Sequence, residues 1–362
     1  MINGDFSRLF MTFTALSCKQ QPLVVSKLPT VKEIAKRLNV SVSTVSRALS
    51  DHPRIGLRTK QKVQELAKEL NYEPNTQAIF FKQKKTHTIG VVIPYIREDF
   101  FSQAISGIEA AAIEHDYTIL FGQSYDEVER EINVVTAMKK QRVDGLLISL
   151  SKQTNQYIHL ESLKKYDIPV VYFDRVPPMP DVNKVFCNLY DGTVEMVGWL
   201  LSKGYRRIAF INGPDKLIAS KERLQGFIEA VSKHKLKVDM QLVEKTDFSK
   251  ESTEEAMGKL LALKKLPQAI ITFNEYVHMD AVQYAKKNNV DVGNDIVFVS
   301  YANLPITNYT AYPPLATIEQ YPYKQGEKAM RLLIELLNEK KIEGAEASAC
   351  RKEEISPSLM FH

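Results

Sequence analysis

Five residues within one short stretch, Val42, Ser43, Thr44, Ser46 and Arg47 of VSTVSRAL, carry the most telling chemistry in this chain. An arginine fork matches the paired O6 and N7 acceptors of guanine, and hydroxyls reach phosphate oxygens. Such contacts need a rigid carrier, and the spacing provides one. Val45, Ala48 and Leu49 recur on one helical face, leave the five largely free, and follow Ser41 as a helix cap. Upstream, Thr30 and Glu33 match a capping box and open a helix whose apolar face is Val31, Ile34, Ala35 and Leu38. Asn39 tolerates the left-handed turn that ends it. A third helix, from about Arg58 to near Asn71, presents Val63, Leu66, Ala67 and Leu70 inward. The pattern predicts a helix-turn-helix, the geometry that seats its second helix in the DNA major groove.

The segment resembles the head of the lactose-repressor (LacI/GalR) family of bacterial transcription regulators. The matching residues are IAKRLNVSVSTVSRAL at 34–49, the third helix, and NYEPN at 71–75, with Asn39 where the family usually has Gly. The resemblance implies a DNA-contacting set of Thr30, Val42, Ser43, Thr44, Ser46 and Arg47. Within it Val42, Ser43 and Arg47 are expected at base edges, and Thr44 and Ser46 on phosphates. It also implies a hinge helix at 75–86 that forms on the operator. Ala78 then falls where two hinge helices pack, Phe81 where an apolar wedge enters the minor groove, and Lys82 on the phosphates. Ile79 departs from the pattern, since many relatives carry Arg there. The alternative for Ile79, Phe80 and Phe81 is an apolar linker packed on the body.

The chain has 362 residues, 44% hydrophobic and 25% charged, which is the composition of a soluble globular protein of two or three domains. Its net charge of +5 is uneven, because residues 27–85 hold 13 Lys/Arg against 5 Asp/Glu and the remainder is mildly acidic. A basic head on an acidic body fits a nucleic-acid module joined to a domain of another kind. Cys18, Cys187 and Cys350 lie far apart, with no metal-ligand spacing and no disulfide framework, and read as reduced thiols. No apolar run approaches the ~20 residues of a membrane span. Residues 1–28 read as an unstructured extension or a start assigned too early; the alternative is an export signal ending at Cys18.

From residue 88 onward, apolar strand-like runs alternate with amphipathic helical stretches. IGVVIP, YTILFG, GLLISL and IPVVYFD are suited to burial on both faces, and the rhythm resumes with RIAFING, QAIITFN and DIVFVSY. This predicts parallel sheets in doubly wound lobes. No strand-linked G-x-G-x-x-G, P-loop, H-E-x-x-H or G-x-S-x-G is present, so the usual grounds for proposing an enzyme, a cofactor or a metal are missing.

The resemblance continues through VDGLLIS, IPVVYFDR, GYRRIAFINGP, the Arg223/Gly226-Phe227 cluster and PLATIEQ, and so covers about residues 29–361. It implies a periplasmic-binding-protein-like pair of lobes closing on a small effector. By position the effector set is Phe100, Phe101, Asn188, Arg223, Phe248 and Glu275. Asn188 and Glu275 replace a frequent Asp pair, and Ala302-Asn303 replace a frequent Asp-Asp. Each candidate also has a structural alternative: core aromatics for the phenylalanines, a turn residue for Asn188, an ion pair for Arg223 or Glu275. Trp199 reads as core.

The expected architecture is an N-terminal all-α helix-turn-helix head plus an α/β periplasmic-binding-protein-like body of two doubly wound parallel-sheet lobes. Its expected divisions are an extension at 1–28, a DNA-binding domain at 29–74, a hinge at 75–86 and an effector-binding and dimerisation domain at 87–362. The expected protein is a cytoplasmic homodimer that binds near-palindromic double-stranded operator DNA as a repressor, with no enzymatic activity. A carbohydrate is the expected effector, with a purine, nucleoside or acidic sugar as alternatives. Two other readings stay open: a body used only for dimerisation, and an exported sugar-binding protein.

Overall fold

The computed structural model describes residues 29–73, 85–339 and 349–362. The chain divides into two compact units, Met1–Lys82 and Gln83–His362. In the first, α1 (Val31–Leu38), α2 (Val42–Leu49) and α3 (Leu57–Glu69) pack around Ile34, Ala35, Val45, Ala48, Val63 and Ala67. These are the residues that a 3.6-residue period places on one face of each helix. Asn39 sits at φ 53° and turns the chain from α1 to α2. The capping box is half made. Thr30 Oγ1 accepts from the Glu33 amide at 3.3 Å, while the Glu33 carboxylate turns forward to Arg37 at 3.0 Å. A cation one turn along the helix competes with a backbone amide for the same carboxylate. α3 starts at Leu57, one residue before the expected Arg58, and Gly56 precedes it without a side-chain cap.

The second unit carries two six-stranded sheets. The first lobe holds β1 (Thr88–Ile93), β2 (Thr118–Gln123), β3 (Gly145–Ile148), β4 (Val170–Phe173), β5 (Asn183–Cys187) and β11 (Lys352–Ile355). Their order is β11–β5–β4–β3–β1–β2, parallel throughout. The second lobe holds β6 (Ile208–Asn212), β7 (Val243–Lys245), β8 (Ala269–Thr272), β9 (Val297–Tyr301), β10 (Ala316–Glu319) and β12 (Ser358–Phe361). Their order is β12–β10–β9–β8–β6–β7, and β12 alone runs antiparallel, against β10.

Strand alternation divides each core. Ile89, Val91 and Ile93 of β1 face one cluster, and Val92 faces the other. β2 departs from the expected burial on both faces. It is an edge strand whose Leu120 and Phe121 are 39% and 47% exposed.

Helices α4 (Asp99–Ile113) and α5 (Val128–Lys140) belong to the first lobe; α6 (Leu189–Ser202), α7 (Ile218–Lys233), α8 (Lys250–Leu261) and α9 (Glu275–Lys287) belong to the second. α10 (Pro322–Glu339) follows β10 of the second lobe but packs in the first, against α4. The chain therefore crosses between lobes after β5, after β10 and after β11. Three crossings tie the lobes along one side and leave the facing loops to form a crevice. Among the described residues no helix is long and apolar enough to cross a membrane.

Candidate nucleic-acid interface and inter-lobe site

On α2 the burial pattern separates two faces. Val45 and Ala48 are buried, while Val42, Ser43, Ser46 and Arg47 are exposed and Thr44 is half-buried. Ser41 caps the helix by accepting from the Thr44 amide at 3.0 Å, and its hydroxyl lies 2.8 Å from those of Ser43 and Thr44. The Arg47 guanidinium has no hydrogen bond or ion pair among the described residues and is free to meet an acceptor. Thr30 is exposed and occupied as the cap of α1. Ala78, Phe81 and Lys82 lie outside the described residues, as does Cys18.

In the body, loops at the carboxyl ends of the parallel strands face one another, where open α/β sheets bind ligands. The first lobe contributes Glu98, Phe100 and Phe101 after β1, and Asp174 and Arg175 after β4. The second contributes Leu217, Arg223, Phe273, Asn274, Tyr276, Ala302 and Leu304. A neighbouring cavity shares Glu98, Arg175, Asn274 and Tyr276 and adds Asp126, Lys152, Asp247 and Phe248. A third, also reached by Asp174 and Arg175, extends toward Thr154, Lys216 and Lys221.

Arg175 is the centre of this crevice. It donates to Asp126 Oδ1 at 2.5 Å. Burial opposes its charge, but Asp126, Glu98 and Asp174 together hold the guanidinium pKa above its ordinary value. Burial pushes the Glu98 and Asp174 carboxyls up, against the pull of Arg175. The Asp174 carboxylate also accepts from the Ser149 hydroxyl at 3.0 Å. The crevice can thus present both hydrogen-bond donors and acceptors to a ligand.

Of the residues expected from the sequence, four come together here. Phe100 and Phe101 are 7% and 1% exposed, so each is a core aromatic and also a cavity wall. Arg223, 3% exposed, donates to the Phe273 carbonyl, and its guanidinium lies 4.1 Å and 4.0 Å from the Phe273 and Tyr301 ring centroids. Its Nε has no hydrogen-bond partner among the described residues. Phe248 stacks on Phe273 at 4.7 Å.

Asn188 and Glu275 are placed differently. Asn188 caps α6 by accepting from the Asp191 amide at 3.0 Å, donates to Glu354 at 2.7 Å, and lines none of the three cavities. Glu275 opens α9 fully buried, with Oε2 accepting from the Leu304 amide at 2.5 Å and Oε1 without a hydrogen-bond partner among the described residues. Its side chain binds the turn at 302–304, where Ala302 and Asn303 hold φ of 102° and 54°. Burial pushes the Glu275 carboxyl up to about 8, although the Leu304 amide favours its charge.

Sequence reasoning missed Glu98, Asp126, Asp174, Arg175, Asn274 and Tyr276. Asp174-Arg175 close the strand run IPVVYFDR, and Asn274 closes QAIITFN. The rule that ligands meet the carboxyl ends of parallel strands would have flagged both. Left-handed backbone at the non-glycine residues Asp174, Phe248, Ala302 and Asn303 surrounds the crevice, as is common at binding sites. Among the described residues no group of His, Cys, Asp and Glu is arranged to hold a metal ion.

Residues 30–75 match the family described as "Bacterial regulatory proteins, lacI family", and residues 86–352 match "Periplasmic binding proteins and sugar binding domain of LacI family". The transcriptional repressor CytR of Escherichia coli (strain K12) is 29% identical over 306 residues, 84% of this chain and 89% of that protein. The repressor PurR of Vibrio cholerae serotype O1 (strain M66-2) is 28% identical over 316 residues, 87% of this chain and 94% of that protein. Among solved structures, transcription regulator CcpA of Lactococcus lactis matches at TM-score 0.68 and 25% identity, over 75% of this chain and 97% of that one. The lac repressor dimer bound to operator and the anti-inducer ONPF matches in fold at TM-score 0.77 and 24% identity, over 92% of this chain and 98% of that one.

Proposed function

We propose, for a chain that belongs to the lacI family of bacterial regulatory proteins, a repressor in which residues 29–74 read operator DNA and 75–86 form a hinge. The body at 87–362 then binds a small effector and dimerises. Effector binding between the lobes changes hinge order and so DNA affinity.

The observation that carries the DNA reading is the exposed face of α2. Val42, Ser43 and Arg47 are free to meet base edges there, while Val45 and Ala48 fix the helix to its bundle. Thr44 and Ser46 take phosphates, Phe81 and Lys82 act in the hinge, and Ala78 packs against its symmetry mate. In the body the effector meets Phe100, Phe101, Arg223 and Phe248, with Asn188 and Glu275 acting from outside the cavities. Aromatic walls beside an unpartnered arginine Nε and buried carboxyls suit a sugar, whose CH faces stack while its hydroxyls donate and accept. The exposed apolar edge strand β2 supports pairing with a second copy in a homodimer.

Genomic-fragment selection at fixed salt tests the reading. The wild-type protein should recover a near-palindromic site, and Arg47→Ala should lose specific affinity by about 1–3 kcal/mol while nonspecific binding persists. Equal loss on random DNA would remove Arg47 from base reading.

A further inference from the structure

A lysine is among the groups that join the two lobes across the mouth of the crevice, beside the Tyr276 hydroxyl that accepts from the Asp99 amide at 3.3 Å. Lys152 follows β3 in the first lobe, and its backbone amide is fixed by Asp126 Oδ1 at 3.0 Å. Asp126 also receives Arg175, so a buried pair anchors the base of the Lys152 side chain. From there Nζ reaches the second lobe and donates to the Asp247 carbonyl at 2.7 Å. The same ammonium stands 5.6 Å from the Phe248 ring centroid, and the Arg175 guanidinium stands 5.9 Å from it. Phe273 packs against the same ring at 4.7 Å. The turn that receives Lys152 is itself strained, with Phe248 at φ 78°. Locally it is held by the Thr246 hydroxyl on the Phe248 amide at 3.0 Å and by Asp247 on the Ser249 amide at 2.8 Å.

We propose that Lys152 is a cross-lobe clasp, a positioning residue that holds the 246–249 turn of the second lobe over the crevice and occupies the Phe248 ring in the absence of ligand. A charged donor on a carbonyl, with its ammonium near an aromatic ring, combines two favourable contacts at one point. A ligand ring that stacks on the same side of Phe248 takes the place of the ammonium, so release of Lys152 becomes a step in effector entry. That consequence rests on the effector reading above; the clasp itself does not.

Hydrogen exchange of the full chain without ligand or DNA tests the clasp separately from any regulatory function. Lys152→Met keeps most of the stem and removes the donor and charge, while Lys152→Arg keeps both. The Met variant should speed exchange in the segment 245–252 by about tenfold or more, the size of a lost charged hydrogen bond. The Arg variant should stay near wild type, and exchange in β9 (Val297–Tyr301) should be unchanged in both. Unchanged exchange at 245–252 in the Met variant overturns the proposal. So does an equal rise in β9, which would signal general destabilisation, or an Arg variant that behaves like Met.

Discussion

At the scale of single residues, Glu275 is an expected ligand contact that the fold uses to hold its own backbone. A glutamate at 275 reaches back to the Leu304 amide and is sealed, whereas its neighbours Asn274 and Tyr276 face the cavity. Burial raises its carboxyl from 4.5 to about 8, so the folded protein holds this proton more tightly than the unfolded chain does. The associated stability is fully present below about 4.5 and is lost as pH rises through about 8, on the order of a few kcal/mol at most. Glu275→Gln keeps an acceptor for the amide but no titrating proton. Its urea midpoint should fall less than that of wild type between about pH 6 and about pH 9. Parallel pH profiles for the two proteins would show that Glu275 does not titrate in this range.

At the scale of elements, the join between α4 and α10 decides how the first lobe is closed by a helix arriving from the second. The two backbones meet without side chains between them. A Cβ on Gly326 would lie 2.0 Å from the Ala104 carbonyl oxygen, and one on Gly107 would lie 2.0 Å from that of Tyr323. Helix propensity alone favours Gly326→Ala by about 1 kcal/mol, but overpacking against fixed backbone costs about 1–3 kcal/mol or more. The expected net result is destabilisation, read as a lower urea midpoint with unchanged slope. A more stable Gly326→Ala would mean that the helices separate freely and that their close approach contributes little. The head helices make the complementary point. Their caps and turn were legible because Thr30, Asn39 and Ser41 act through local backbone geometry, whereas the turn of Glu33 toward Arg37 depended on competition between two partners.

At the scale of the whole molecule, the effector proposal requires that a ligand bind the folded body and so raise its stability. A panel of monosaccharides, disaccharides and nucleosides should contain a compound that raises the melting temperature of the wild-type protein. The gain is about 2.7 kcal/mol at a hundredfold excess over Kd. Arg223→Lys keeps a charge but loses the planar fork stacked between Phe273 and Tyr301, and it should abolish that stabilisation while operator binding persists. A full ligand response in the variant would remove Arg223 from the effector site. Absence of any response to the panel in the wild type would favour a body that only dimerises.

The sequence by itself determined the helix-turn-helix and the doubly wound lobes, because both are written in short-range periodicity, caps and strand-length apolar runs. The family resemblance, not the apolar pattern, pointed to Phe100, Phe101, Arg223 and Phe248, and these residues line the crevice cavities. Only the tertiary structure decided which side chains face the crevice. It put Arg175 among Asp126, Glu98 and Asp174, joined Asn188 to Glu354, sealed Glu275 behind the wall and carried Lys152 across to the other lobe. Those outcomes depend on how two sheets joined by three crossings oppose their loops. Contacts between residues as far as 166 positions apart leave no trace in local spacing.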